Sequence, residues 1–143
     1  MRPIGQVYNE RYSAGNMGIF NGWPFVKKSE TERREREFDE RMFPLGFDEQ
    51  RGKIMQLLQE LIPSPDKQLQ YLMFATVMVK EHYLNNDRSK SSLIQAKKKI
   101  DSVVKITEQE KWMIVALAWL DTEATSLDNY PTADQVRKAA KLG

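Results

Sequence analysis

The longest apolar run of the chain, W112-M-I-V-A-L-A-W-L120, constrains its fold more than any other feature. A helix that crosses a bilayer needs about 20 predominantly apolar residues, so this shorter run indicates a helix buried in the core of a soluble protein. The four residues Thr107-Glu-Gln-Glu110 precede it and match a capping box, which marks the start of a helix. We therefore predict a central helix over about residues 108–126.

Four further segments have helical apolar spacing or helix-start signals. Residues 47–62 have an i, i+3, i+4 stripe, residues 65–85 are apolar nearly all the way round, and residues 89–104 have one apolar face. A second capping box, T132-A-D-Q135, opens a short helix that runs to Leu142. No strand periodicity competes with these patterns. The predicted fold class is all-α, a compact bundle of about five helices in residues 47–143.

Two segments of different character precede the predicted bundle. Residues 29–43 begin with the capping box S29-E-T-E32 and consist almost entirely of charged residues, with only Phe38 and Met42 as an apolar face. Such a helix buries little, and we predict that it is a spacer. Residues 1–28 follow neither the helical nor the strand period and contain glycine and proline breakers, so they are predicted to form an irregular arm.

The arm is rich in aromatic residues, which commonly act as buried anchors at protein interfaces. Disordered segments are usually depleted in them. We therefore predict that the arm packs on a protein surface. Two alternatives remain open, namely packing on its own bundle and docking on another chain, which could be a further copy of itself. The predicted partner-binding residues are Tyr8, Tyr12, Phe20, Trp23 and Phe25.

The sequence contains no recognisable catalytic, metal or cofactor motif. It has no cysteine and one histidine, His82, which excludes disulfides, thiolate zinc sites and paired-histidine metal sites. The glycine pattern G15-N-M-G18 lacks the Gly-Lys-Ser/Thr of a phosphate loop. We expect no enzymatic activity, no cofactor and no metal. Two groups of carboxylates at helix ends are predicted to be solvated: Asp121, Glu123 and Asp128, and Asp39, Glu40, Asp48 and Glu49.

Basic residues provide an alternative hypothesis, a regulatory protein that binds nucleic acid through residues 88–105 and the C-terminal helix. The net charge of +2 is the sum of alternating positive and negative blocks, and none of these blocks is as strongly basic as a dedicated nucleic-acid-binding arm. Phosphate contacts would make such binding weaken steeply with salt. The residues predicted for this role are Arg88, Lys90, Lys97, Lys98, Lys99, Arg137, Lys138 and Lys141.

Taken together, these patterns favour a non-enzymatic interaction protein that acts as an adaptor, a regulator or a small subunit of a larger assembly. An arm followed by a small helical bundle resembles the layout of many small assembly subunits and regulators, including virion and phage proteins. The lack of cysteine fits a reducing compartment. We expect the chain to be cytoplasmic, or part of a soluble intracellular or virion assembly, with a protein partner and no membrane.

Overall fold

All regular secondary structure in residues 28–64 and 68–141, the ranges that a computed structural model of the chain describes, is helical. This confirms the predicted all-α fold class. In chain order the helices are α1 (Lys28–Met42), α2 (Phe47–Leu61), α3 (Leu69–Asn85), α4 (Lys90–Lys97), α5 (Glu108–Glu123) and α6 (Ala133–Lys141), with a 3-10 turn, Ile100–Ser102, after α4. The chain divides between Arg41 and Met42 into two compact units.

Helix α1 is held by charge pairs on its own surface. Arg33 Nη1 lies 3.1 Å from Glu37 Oε2, and Arg34 Nη2 lies 3.6 Å from Glu30 Oε1, both at i,i+4 spacing and both exposed. Each such pair stabilises a helix by only a few tenths of a kcal/mol. The predicted charged helix is therefore confirmed as a helix, whereas its role as a spacer stays a prediction. The aromatic arm and its five predicted anchors lie outside the described residues.

In the second unit, α3 and α5 supply the centre of the core, as their apolar sequences predict. Helix α5 buries Ile114, Leu117 and Ala118 completely, at i, i+3 and i+4. Helix α3 faces it with Ala75 and Val79, which are equally inaccessible. Helices α2, α4 and α6 pack around this pair. The long apolar run over residues 112–120 thus contributes one side of the core between α3 and α5.

The two predicted capping boxes of this unit are both present. Thr107 N–H donates to Glu110 Oε1 at 2.9 Å, and Glu110 N–H donates back to Thr107 Oγ1 at 3.1 Å. The same reciprocal pair joins Thr132 and Gln135, at 2.9 and 3.3 Å. Each box satisfies two N–H groups that the first helical turn leaves unpaired. The starts of α5 and α6 therefore follow from local sequence.

Three predicted helix boundaries are wrong. Helix α3 begins at Leu69, after an extended Gln68, and not at residue 65, and α5 ends at Glu123, three residues early. The predicted helix over 89–104 ends at Lys97. After Lys97 the backbone changes from α-helical to 3-10 hydrogen bonding, because the N–H of Lys99 donates to Ala96 O at 2.9 Å, three residues back. The resulting 3-10 turn buries Ile100, the last residue of the apolar face to reach the core.

No helix in the two described ranges combines the length and the apolar content that crossing a bilayer requires.

Candidate functional site

A cluster of polar side chains lies inside the second unit, where helical periodicity alone predicts apolar residues. Lys80 on α3 and Asp121 on α5 are each 1% exposed, and Lys80 Nζ lies 2.5 Å from Asp121 Oδ2. The prediction that Asp121 is solvated is therefore wrong. A buried ion pair survives only if the remaining polar atoms of both groups are also satisfied, because desolvation otherwise exceeds the Coulombic gain.

Two further side chains complete this buried polar cluster, which we define as Gln50, Lys80, Asp121 and Tyr130. Asp121 Oδ1 accepts from Gln50 Nε2 at 3.0 Å and from the Tyr130 hydroxyl at 2.5 Å. Lys80 Nζ also donates to the carbonyl of Met42 and lies 4.5 Å from the centre of the Phe43 ring. The cluster thus ties α2, α3, α5 and the loop before α6 to one carboxylate.

The electrostatics of the buried polar cluster suit a structural role. Burial lowers the pKa of the Lys80 ammonium, although the charge of Asp121 opposes the shift. Burial also raises the pKa of the Tyr130 hydroxyl, and the Asp121 charge acts in the same direction. Every polar group points at another member or at the backbone, and Gln50 Oε1 accepts from the N–H of Leu45 at 2.9 Å. The two charged groups at its centre are sealed from substrate.

A groove on the opposite side of α5 has the reverse character, since it exposes large apolar side chains. We call it the tryptophan groove, and its volume is about 330 Å³. Trp112, Val115, Ala116 and Trp119 form one wall, at i, i+3, i+4 and i+7 of α5. The remaining lining residues are Tyr83 of α3, Arg88, Lys90, Leu93 and Ile94 at and along α4, and Ala139 of α6.

The aromatic side chains at one end of the tryptophan groove are fixed by polar contacts. The Tyr83 hydroxyl donates to Glu123 Oε2 at 3.1 Å, and the indole of Trp119 also interacts with that hydroxyl. Burial, together with the bond to Glu123, raises the pKa of Tyr83. At the other end, Lys97 Nζ lies 4.6 Å from the centre of the Trp112 ring. Both tryptophans are therefore held in place while part of each ring stays accessible.

Among the residues that the structure describes, the charged ones that line the tryptophan groove are Arg88 and Lys90. Both are exposed. Arg88 has φ 51°, and it is the one non-glycine residue of the described ranges with a positive φ. This left-handed conformation costs an L-residue about 1–2 kcal/mol, so the turn holds Arg88 at the groove in spite of backbone strain. Strain of this kind often accompanies a functional position.

The residues predicted for nucleic-acid binding do not share one surface role. Arg88 and Lys90 line the tryptophan groove, whereas Lys97 forms an ion pair with Glu108 and Arg137 one with Asp134 at 3.0 Å. Lys99 Nζ lies 3.5 Å from His82 Nδ1. The three other residues, Lys98, Lys138 and Lys141, are exposed. Part of the predicted basic charge is thus paired with carboxylates on the same helices or neighbouring ones.

The remaining polar candidates are dispersed. His82 is half-buried, and its Nε2 has no hydrogen-bond partner among the described residues. Glu123 and Asp128 are exposed, as are Glu40, Asp48 and Glu49, whereas Asp39 is half-buried. Within the described ranges no group of three or more histidine, aspartate or glutamate side chains is placed to hold a metal ion.

The sequence analysis predicted neither the buried polar cluster nor the tryptophan groove, although the helical pattern contains a signal for each. Asp121 continues the buried series Ile114, Leu117, Ala118 at i+7, and Lys80 continues Met73, Thr76, Val77 in the same way. Helical periodicity therefore places both charged side chains on the core-facing sides of their helices, without identifying the partner of either one. The tryptophan wall is a second i, i+3, i+4, i+7 series within the same apolar run.

The comparisons with known proteins found no relative from which function could be transferred: no protein-family model, no curated protein and no solved structure matches this chain.

Proposed function

We propose that this chain is a non-enzymatic protein–protein interaction protein, an adaptor, regulator or small subunit of a larger assembly. Virion and phage assemblies are among the candidates. The aromatic arm, with Tyr8, Tyr12, Phe20, Trp23 and Phe25, is its predicted docking element. The tryptophan groove is proposed as a second docking element on the helical bundle.

The observation that carries the proposal is the exposure of large apolar side chains around one concave surface. Trp119 is 38% exposed and Ile94 is 40% exposed, on the two sides of a groove that is lined mainly by apolar residues and also by Arg88 and Lys90. Tryptophan is among the residues that most often dominate binding energy at protein interfaces, especially where it lies in a pocket. Exposed apolar patches with polar rims are typical of interaction sites.

The non-enzymatic part of the proposal is supported by the arrangement of the titratable groups. The buried ion pair of Lys80 and Asp121 is fully inaccessible and hydrogen-bonded, so it has no route to a substrate. The titratable residues that line the tryptophan groove in the described part of the chain are Arg88, Lys90 and Tyr83. They form no nucleophile–base pair of the kind that catalysis uses.

Affinity purification from the native source, with quantitative mass spectrometry, tests the proposal. Wild-type chain is compared with an arm variant, Trp23→Ala with Phe25→Ala, and with the groove variant Trp119→Ala. The matched control is Tyr71→Ala, because Tyr71 is 41% exposed and does not line the tryptophan groove. We expect at least one protein that wild type and the control retain and that a docking variant loses.

Two results would count against the proposal. If the same proteins accompany all four chains, neither the arm nor the tryptophan groove is a docking element. If nucleic acid copurifies instead, and is released as salt rises, the alternative of a nucleic-acid-binding regulator is favoured.

A further inference from the structure

Residues 42–46, which connect α1 to α2, are held on the bundle by side chains of the buried polar cluster. We propose that this segment, which we call the strap, is a releasable element of the fold with Lys80 and Gln50 as its two positioning residues. The strap opens as a unit while the helices of the bundle stay folded. This conformational device is independent of the docking surfaces proposed above.

The strap has two anchors in the core. Lys80 Nζ donates to the carbonyl of Met42, which as the last carbonyl of α1 has no partner within that helix, and lies 4.5 Å from the centre of the Phe43 ring. Gln50 Oε1 accepts from the N–H of Leu45 at 2.9 Å. Both anchoring side chains are 1% exposed. The strap therefore takes two of its hydrogen bonds from buried side chains of the bundle.

The backbone of the strap is ordered by a tight turn of its own. The N–H of Gly46 donates to Phe43 O at 3.1 Å, while Pro44 has no N–H to donate. Gly46 has a φ of 118°, which residues with a side chain rarely adopt, so glycine is required where this turn leads into α2. The turn holds the strap together internally, whereas the two anchors join it to the bundle.

The two anchors keep their other partners when the strap leaves. Lys80 Nζ lies 2.5 Å from Asp121 Oδ2, and Gln50 Nε2 donates to Asp121 Oδ1 at 3.0 Å. Neither of these contacts involves a residue of the strap. Because the ammonium and the carboxylate stay paired, opening avoids the large cost of a lone buried charge. Release of the strap is thus separable from unfolding of the core.

Apolar side chains make the closed strap the dominant state. Met42 is fully buried and Phe43 is 5% exposed, and their burial stabilises the closed form. The Phe43 ring also meets the Phe47 ring edge-on, with the ring centres 5.3 Å apart. The open strap is therefore a minor state, reached by a local opening of the folded chain. Opening exposes far less surface than global unfolding does, so its equilibrium should respond weakly to urea.

Residue-resolved amide hydrogen exchange of the full chain, followed by nuclear magnetic resonance, tests the proposal. The two reporters are the N–H of Gly46, which is bonded inside the strap, and the N–H of Leu117, a fully buried residue of α5. In the wild type we expect Gly46 to exchange at least about tenfold faster than Leu117. Low concentrations of urea should accelerate exchange at Leu117 steeply and at Gly46 hardly at all.

Two variants that each remove one hydrogen bond to Asp121 separate the strap from the core. Gln50→Leu also removes the acceptor of the Leu45 N–H, so Gly46 should exchange about tenfold faster, the effect of losing one hydrogen bond. Tyr130→Phe is the matched control, because its hydroxyl bonds Asp121 and is not an anchor of the strap. This control should accelerate exchange at Leu117 but leave Gly46 within about twofold of the wild-type rate.

The Lys80 anchor is tested by the double variant Lys80→Met with Asp121→Leu, which removes the ammonium without leaving a lone buried charge. Gly46 should again exchange at least about tenfold faster than in the wild type, because the carbonyl of Met42 has lost its donor. If the double variant does not fold, the comparison of Gln50→Leu with Tyr130→Phe decides the proposal by itself.

Three results would overturn the proposal. Equal exchange rates and equal urea responses at Gly46 and Leu117 in the wild type would mean that the strap opens only when the core unfolds. Tyr130→Phe accelerating Gly46 as much as Gln50→Leu does would mean that the strap follows the stability of the whole bundle. An unchanged rate at Gly46 in Gln50→Leu would show that Gln50 does not hold the strap.

Discussion

The two faces of helix α5 invert the usual distribution of side chains. On the inner face Asp121 is 1% exposed, and two residues away on the outer face Trp119 is 38% exposed. The charged residue lies inside, held by Lys80, Gln50 and Tyr130, while the aromatic residue faces solvent across a groove. A buried charge rarely adds net stability over apolar packing, even when it is paired, and an exposed tryptophan adds little.

The difference teaches that one apolar run can serve two purposes. The inner stripe, ending in Asp121, makes the bundle depend on a unique set of polar partners from three other segments. The outer stripe contains Trp112 and Trp119, which stay partly accessible, and it lines the groove that we propose as a docking surface. Substitutions on the inner face should therefore change folding stability. Those on the outer face should leave it nearly unchanged and change binding.

The largest effect is expected from Lys80→Met. Removing the ammonium leaves the Asp121 carboxylate buried without its countercharge, which costs about 3–5 kcal/mol of unfolding free energy. Urea unfolding followed by circular dichroism measures this loss. The double variant Lys80→Met with Asp121→Leu replaces both charges by apolar groups and should recover only part of it, because Gln50 and Tyr130 then lose their common acceptor. If Lys80→Met alone unfolds at the wild-type midpoint, the inner face does not depend on the pair.

A smaller loss is expected from Tyr130→Phe, which removes one hydrogen bond to a buried carboxylate and costs about 1.5–3 kcal/mol. The same variant has a specific pH signature. Because burial raises the pKa of Tyr130, the hydroxyl stays protonated in the folded chain while it ionises in the unfolded one above about pH 10. The native state then binds more protons, so stability falls as pH rises through that range.

The Tyr130→Phe chain should lose stability less steeply with pH than the wild type. Lys80 has a shift of the opposite sign, but it is present in both proteins, so its contribution largely cancels in the difference. Unfolding free energies measured from neutral pH upward give both curves. Parallel curves would mean that the hydroxyl is not buried against Asp121.

The sequence predicts the local features of the bundle but not those that depend on packing between helices. The helix starts at Thr107 and Thr132 follow from local hydrogen bonds that the sequence itself contains, and so could be predicted. The end of α4 could not, because the 3-10 turn depends on burying Ile100 in a core that several helices build. Lys80 and Asp121 lie 41 positions apart in the numbering, so their pairing becomes visible only once the packing of α3 on α5 is known.

The outer face could be predicted only in part. The series Trp112, Val115, Ala116, Trp119 has the spacing of a buried stripe, and the sequence does not indicate which stripe another helix covers. The structure shows that the groove between α4 and α5 leaves the tryptophans accessible. The left-handed turn at Arg88 is also invisible in the sequence, since arginine is not a residue that favours it.

A modest effect is expected from Trp119→Ala. The indole is partly exposed and interacts with the Tyr83 hydroxyl, so its loss should cost about 1 kcal/mol of unfolding free energy. Tyr71→Ala, at nearly the same exposure on α3, is the matched control. A loss as large as that of Lys80→Met would show that Trp119 supports the fold and would remove the contrast between the two faces.

The smallest effect, and the only one of opposite sign, is expected from Arg88→Gly. Glycine relieves the backbone strain of φ 51°, which stabilises the folded chain by about 1–2 kcal/mol. Part of this gain is lost because glycine also increases the conformational entropy of the unfolded chain. The net gain should be about 0.5 kcal/mol, measured by urea unfolding, whereas Arg88→Ala should show none. Removal of the Lys80 charge on the inner face would then destabilise the chain, whereas removal of the Arg88 charge at the groove would stabilise it. If Arg88→Gly is instead destabilising, the arginine contributes to folding, and its position at the groove needs no ligand to explain it.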